Sequence, residues 1–282
     1  MKRVGVGRDI NLTFHMLFAT ALLLGLYVAI ALGVWKLSEG RSYQWLIPAV
    51  AALVVWNYVD TIRLALRLTG ARYVTAKDAP ALHEIVERLS ALADIRRPRI
   101  AIVDSEMPNA FAVARTQRSA VIAVTSGLRH RLNREELEAV VAHELSHIAN
   151  RDVMVMTPAT FFPIAASFLW EWLTILWPIA GLLYVTGGSL GLTLSRYREY
   201  AADRGAALLT GRPEHLMSAL QKIAGHVALI PRRDLRATAG ISALFIISTQ
   251  TSSFRLWMDH PPLEDRLAHL AQIARELGTA TA

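Results

Sequence analysis

Ala142-His143-Glu144-Leu145-Ser146-His147 is the stretch on which the reading of this chain turns. Residues four apart on a helix project from the same face, one turn above each other, so His143 and His147 can present two imidazoles to one metal ion. Glu144 stands beside the first of them, within reach of a water at such a metal. Two imidazoles, an adjacent acid and an open coordination position are what a catalytic zinc site of the peptide-hydrolysing kind requires. The flanking residues form a helical pattern. Asn133 is a favoured N-cap, and Glu136 stands where a capping box reaches back. Leu137, Val140, Val141 and Ile148 recur at helical spacing, with Arg134, Glu135, Glu138 and Arg151 outside the stripe. Asn133 to about Ala149 is thus expected to be an amphipathic helix that buries one face and carries both histidines. The plain alternative is a helix whose histidines are core or surface groups, so the rest of the chain has to decide.

A catalytic site needs a third ligand from another element. Ser195-Arg196-Tyr197-Arg198-Glu199-Tyr200-Ala201-Ala202-Asp203 offers one, because its spacing sets Glu199 and Asp203 on a single helical face. Glu199 can ligate the metal, while Asp203 accepts a hydrogen bond from the far nitrogen of a liganding histidine and fixes its tautomer. Taken alone, an acid pair flanked by Arg196, Arg198 and Arg204 would be ordinary helix ion pairing. Beside the histidine motif, the ligand reading is preferred.

Composition sets these motifs at a membrane. The chain of 282 residues is 53% hydrophobic, with a mean hydropathy of +0.33, high for a soluble domain. Residues 10–35 carry no Asp, Glu, Lys or Arg, and Met16 to Trp35 is long enough to cross a bilayer. Residues 42–59 form a second uncharged run, with Tyr43, Trp45, Trp56 and Tyr58 as interfacial anchors. A removable signal peptide would have a shorter apolar part and a small-residue cleavage site. Residues 153–195 contain no Lys or Arg, and Glu171 is their only charge. The two motifs must meet at one metal, so this connector crosses an even number of times or not at all. A hairpin of spans near 153–170 and 172–194 is expected, the alternative being an apolar hairpin only partly sunk in the bilayer.

Lys2, Arg3 and Arg8 precede the first span and Arg63, Arg67, Arg72 and Lys77 follow the second, whereas the loop between holds only Lys36 and Arg41. This asymmetry predicts both termini and both motifs on the cytoplasmic side. It also accounts for the net charge of +7. The basic residues lie scattered at membrane edges and not in an aromatic-interleaved patch, which argues against nucleic acid. With no cysteine, disulfides and zinc–thiolate sites are excluded.

The remainder reads as one α+β domain. Ala79 to about Ala93 has Leu82, Ile85, Val86 and Leu89 at helical intervals. Arg99 to Val103, Ala110 to Arg115 and Ala120 to Thr125 read as short strands, the last two turned into a hairpin near Gln117-Arg118. An exposed strand beside the metal could pair with an extended substrate backbone. Residues 231–258 suggest no chemistry. His260-Pro261-Pro262 opens a last helix, with Leu263, Leu267 and Leu270 as its expected buried stripe.

The motifs Ala142 to His147, Ser195 to Asp203, Asn109-Ala110-Phe111-Ala112 and His260-Pro261-Pro262, in that company, resemble the HtpX-type membrane zinc metalloproteases. These belong to the gluzincin group that also contains the CAAX prenyl endopeptidases. The resemblance covers nearly the whole chain. One departure is Met258-Asp259 ahead of His260, where the family often has Ser-Thr. The resemblance implies one zinc ion and proteolysis of membrane proteins, often damaged ones, in a stress-related quality-control role at the cell membrane. It also implies that Asn109 and Ala110 hold the substrate strand and that His260 faces the reacting carbonyl.

The expected protein is therefore a mainly α-helical membrane protein with four apolar helices and a zincin-like α+β catalytic domain containing a small sheet. Residues 1–70 would form a two-helix anchor, and 71–282 the cytoplasmic protease domain, interrupted by the 153–195 hairpin. His143, His147 and Glu199 would hold zinc, Glu144 would carry the proton of hydrolysis, and His260 would donate to the oxyanion. The partners would be polypeptide substrates and the lipid bilayer. Two rivals are an intramembrane-cleaving protease, which would need the histidine helix in lipid, and a non-catalytic scaffold that keeps zinc for stability.

Overall fold

Ile100-Ala101-Ile102-Val103 and Val121 to Thr125 are short, largely β-branched runs without polar alternation, the pattern of strands buried on both faces. They form β2 (Arg99–Val103) and β4 (Val121–Thr125), which pair in parallel at the centre of a four-stranded sheet. This is a computed structural model, and it describes residues 62–63, 65–152, 195–227, 246 and 261–278. The expected apolar spans at 10–35 and 42–59 lie outside the described residues, as do residues 153–194 and His260. Among the described residues, no helix is long and apolar enough to cross a membrane.

β1 (Arg72–Tyr73) pairs antiparallel with β2, and β3 (Ala110–Val113) pairs antiparallel with β4, giving the order β1-β2-β4-β3. The expected hairpin is present, with a 3-10 turn at Gln117–Ser119 between its strands. Ile100, Ile102, Ala110, Ile122 and Val124 face a helical layer, while Ala101, Val103, Phe111, Val121 and Ala123 pack with Ala65, Ile62 and Leu66 on the other side. The helices are α1 (Pro80–Leu92), α2 (Ser126–Arg131), α3 (Arg134–Ala149), α4 (residues 195–210), α5 (Pro213–Val227) and α6 (Leu263–Glu276). The α1 stripe of Leu82, Ile85, Val86 and Leu89 is buried as expected.

The histidine helix α3 corrects the expected amphipathic pattern. Residues 139–146 are all buried, so the middle of α3 is enclosed on every side and only its first turn is broadly exposed. Its low polarity there (two alanines, two valines and a leucine) suits a central position between sheet and helices. The last helix also differs from the expectation. Leu267 is only partly buried, and the fully enclosed positions of α6 are Leu270, Ile273 and, one residue off the predicted stripe, Arg266.

The entry into α3 is fixed by Glu136. Asn133 Oδ1 accepts from the Glu136 N–H at 2.8 Å, and the Asn133 N–H donates to Glu136 Oε2 at 2.9 Å, completing the capping box. The same carboxylate accepts from Ser218 Oγ at 2.7 Å and from Lys222 Nζ at 2.9 Å, both on α5. Burial would push this carboxyl up, but the bonds from Lys222, Ser218 and Asn133 outweigh it and hold it below its ordinary value of 4.5. A carboxyl with a depressed folded-state pKa stabilises the fold above the unfolded value and loses that contribution as pH falls through the folded one. Glu136→Ala is expected to cost about 2–3 kcal/mol through loss of the cap and of the bonds to α5, seen as a lowered unfolding midpoint at pH 7. The gap between wild type and variant should narrow below about pH 4.5; a gap that stays constant down to pH 3 would show that the Glu136 charge contributes nothing.

Candidate metal centre

The i, i+4 spacing on α3 brings the two histidine side chains together, with His143 Nε2 and His147 Nε2 3.2 Å apart. Helix α4 adds Glu199, whose carboxylate oxygens lie 3.5 Å from His143 Nε2 and 3.7 Å from His147 Nε2. Among the described residues these three form a group able to hold a metal ion. A tetrahedral ion with bonds of ~2.05 Å spaces its ligand atoms about 3.3 Å apart, close to the separations here. The far nitrogens reinforce the fit. His143 Nδ1 lies 3.0 Å from Asp203 Oδ1, and His147 Nδ1 lies 2.5 Å from Asp152 Oδ2. With each Nδ1–H given to an acid, both Nε2 atoms present lone pairs towards each other and towards a carboxylate. Three acceptors converging in a buried place call for a cation.

The electrostatics agree. Burial would lower the pKa of His143, yet the carboxylates of Asp203 and Glu199 outweigh it and raise it to about 9. The pocket therefore favours positive charge at that point, which a bound cation would supply. Glu144 is fully enclosed, and burial pushes its carboxyl up from 4.5, with Glu199 adding to the effect. The two histidines and the Ala112 N–H on β3 pull in the opposite direction. A carboxyl raised in this way is suited to taking up a proton and giving it back.

Two groups not singled out from sequence complete the site. Asp152, just past the end of α3, bridges His147 and Arg198, its Oδ2 lying 3.2 Å from Arg198 Nε. Arg266 on α6 is buried and grips Asp203 with two bonds, Nε to Oδ2 at 2.9 Å and Nη2 to Oδ1 at 2.6 Å. Burial of Asp203 would raise its pKa, but Arg266 and His143 reverse this and hold it below 3.8. Arg266 Nη1 lies 3.5 Å from Glu199 Oε2 and donates to the carbonyl of Ile246 at 2.7 Å. The sequence signal for Arg266 was its place among Leu263, Leu270 and Ile273 at helical spacing, where a cation demands a buried acid.

Strand β3 lies at the sheet edge beside α3. Thr125 N–H donates to the Asn109 carbonyl at 2.9 Å. By the alternation of an antiparallel ladder, the peptide groups of Ala110 and Ala112 then face away from β4. Asn109 is buried. Its N–H donates to Thr125 Oγ1 at 2.9 Å, and its Oδ1 accepts from the Ile246 N–H at 3.0 Å. The described contacts of Asn109 are thus internal ties, and Ala110 offers the outward peptide group.

Three side chains able to hold a metal ion with a buried acid beside them fit the site of a metalloprotease, and the chain is one. The chain belongs to peptidase family M48, whose model matches residues 76–274. It is 42% identical to a protease HtpX homolog of Moorella thermoacetica, over 96% of this chain and 97% of that one. It is 37% identical to protease HtpX homolog 2 of Methanosarcina mazei, over 96% of this chain and 98% of the relative. The crystal structure of S. mikatae Ste24p shares its fold, with a TM-score of 0.55 at 15% identity over 93% of this chain and 67% of that chain.

Arg266→Ala would leave Asp203 buried without its main counter-charge, a change that costs about 3–5 kcal/mol. Thermal unfolding should show a large drop in midpoint, with Arg266→Lys recovering only part because a single ammonium cannot reproduce the two-bond grip. Wild-type stability in Arg266→Ala would mean that the pair contributes nothing.

Proposed function

We propose that the protein is a membrane-bound zinc endopeptidase that cuts membrane proteins, damaged ones among them, on the cytoplasmic side. The observation that carries this reading is the enclosed triangle of His143, His147 and Glu199, with Glu144 next to it and the outward edge of β3 alongside. A zinc ion held by those three residues would supply Lewis-acid polarisation of the scissile carbonyl and acidify the attacking water. Glu144 takes the proton from that water at its carboxylate and delivers it to the leaving amine, a transfer favoured by its raised pKa. Asp203 and Asp152 keep the two imidazoles in the tautomer that turns Nε2 towards the metal. The outward peptide group of Ala110 and the outward carbonyl of Ala112 hydrogen-bond an extended substrate backbone. The family resemblance adds Asn109 to substrate holding and gives His260 the task of donating to the developing oxyanion.

Two anchor helices within 1–70 and a hairpin at 153–195 would tie the 71–282 domain to the bilayer, with the Lys and Arg asymmetry setting its side. A purely structural zinc would take a fourth protein ligand, and among the described residues the group has three. Cleavage within the bilayer is disfavoured by the exposed Arg134 and Glu135 at the start of α3 and the exposed Arg151 at its end.

Glu144→Gln is expected to keep zinc and lose peptide hydrolysis by at least about 100-fold, the lower range of acid–base contributions. Casein cleavage and metal content of the purified variant test this together, and full activity in the metal-loaded variant would overturn the mechanism. Glu199→Ala should lose stoichiometric zinc, whereas Asp203→Ala should lose about 10–100-fold in affinity or activity and regain part of it with added zinc. If Glu199→Ala binds zinc as tightly as wild type in a titration, the third ligand is another group. Accessibility labels at residues 5, 130 and 215 should all report the cytoplasmic side and a label at residue 39 the opposite one; labels at 130 and 215 on different sides would refute the even crossing.

A further inference from the structure

A cavity of about 410 Å³ opens beside the metal centre, between the chain leaving β3 and the end of α3, with His147, Asp152, Ala114, Arg115, Arg118 and Arg151 among its lining residues. Its charge is one-sided. The Asp152 carboxylate already serves His147 and Arg198, so among the described lining residues three arginines face the space with no other acid. Arg118 and Arg151 are exposed, and among the described residues neither makes an ion pair.

Arg151 adds a second observation. Its backbone has φ 58°, one of two positive-φ non-glycine residues among those described. It follows the C-cap of α3, where glycine is the favoured residue because an L side chain is strained there. The helix dipole alone does not explain an arginine at this point, since a cation at position 150 would answer the dipole without the left-handed backbone. Backbone strain kept in place beside a reaction centre points to a use for the side chain.

The cavity also lies where a bound chain would pass. Glu144 is level with Ala112 on β3, and Arg115 is three residues further along, about 10 Å at strand rise. Antiparallel pairing is the more stable mode per residue, so a substrate strand on the edge of β3 would run opposite to it. Its N-terminal part would then lie over Ala114 and Arg115. We propose that this cavity is a specificity subsite for an acidic side chain, Asp or Glu, lying roughly two to four residues before the cleaved bond, with Arg118 and Arg151 as the selecting groups. The guanidinium fork matches a carboxylate with two parallel bonds, and a basic side chain at the same place would meet like charge. The subsite rests on the proteolytic reading above and on β3 as the edge that receives substrate.

The test uses the purified, zinc-loaded full chain in a neutral detergent. Three fluorogenic peptides would differ only at the second to fourth residues before the cleaved bond, carrying acidic, neutral or basic side chains there. Wild type should prefer the acidic over the basic peptide in kcat/KM by about 10-fold or more, and Arg118→Glu combined with Arg151→Glu should invert the order. Arg151→Gly should lower the preference while raising the melting midpoint by roughly 2–4 °C, because strain is relieved. A residue of merely structural importance would not part selectivity from stability in this way. Cleavage of the neutral peptide with an acidic-to-basic ratio near one overturns the subsite and leaves the protease reading standing. Failure of wild type to cleave any peptide overturns both. An unchanged ratio in the variants, with lost binding to phosphatidylglycerol vesicles, would assign the arginines to anionic lipid and overturn the proposal.

Discussion

The carboxylate of Asp203 is held between His143 and Arg266, and the geometry of the candidate metal centre depends on that arrangement. An acid this deeply buried would be costly to leave ionised without a partner. Arg266 makes the charge tolerable, and the charge in turn fixes the orientation of His143. Because the same guanidinium lies near Glu199 and holds the Ile246 carbonyl, one cation coordinates the placement of two helices and a distant peptide group. The Ile246 N–H is taken by Asn109 at the start of β3. The edge strand and the ligand set are thereby parts of one hydrogen-bonded system.

A second ordering principle is that the histidine helix is tethered at both ends. At its start, Glu136 joins the capping box to Ser218 and Lys222 on α5. At its end, Asp152 joins His147 to Arg198 on α4. Between these ties α3 is enclosed by sheet and helices, so its side chains have little freedom to shift. Positioned ligands and a fixed proton carrier are what hydrolytic chemistry asks of a scaffold, since small displacements cost large factors in rate. The bond from Asp203 to His143 and the bond from Asp152 to His147 extend that rigidity to the imidazole planes.

Local patterns made much of this legible before any coordinates. His143, Glu144 and His147 follow from spacing along one helix. The Asn133–Glu136 cap, the β3–β4 hairpin and the α1 stripe are likewise short-range features, and each is found where the pattern placed it. Glu199 and Asp203 could be paired with the histidines because their own spacing announced a shared face. Arg266 and Asp152 escaped notice because their roles arise from contacts across the fold. Nothing near Arg266 in sequence identifies its partner, although its position among apolar residues of α6 signalled that one existed. The enclosure of α3 was missed for a related reason: small residues such as Ala139 and Ala142 fit an exposed face as well as a crowded one. The ties of Asn109 to Thr125 and Ile246 are likewise contacts across the fold that no local pattern announces.

The wide separation of Asp203 and Arg266 along the chain has a bearing on how the molecule comes into being. Synthesis runs from the N-terminus, and the two histidines emerge long before α6 does. Any nascent or truncated chain that stops short of residue 266 lacks the guanidinium that balances Asp203, and with it the bonded Asp203–Arg266 pair beside His143. The segment that carries α6 is therefore the one that completes the pair. A hydrolase assembled in this order has its cutting machinery in final form only once α6 has been produced and packed against α4, which limits the interval in which an unfinished copy could attack itself or its neighbours.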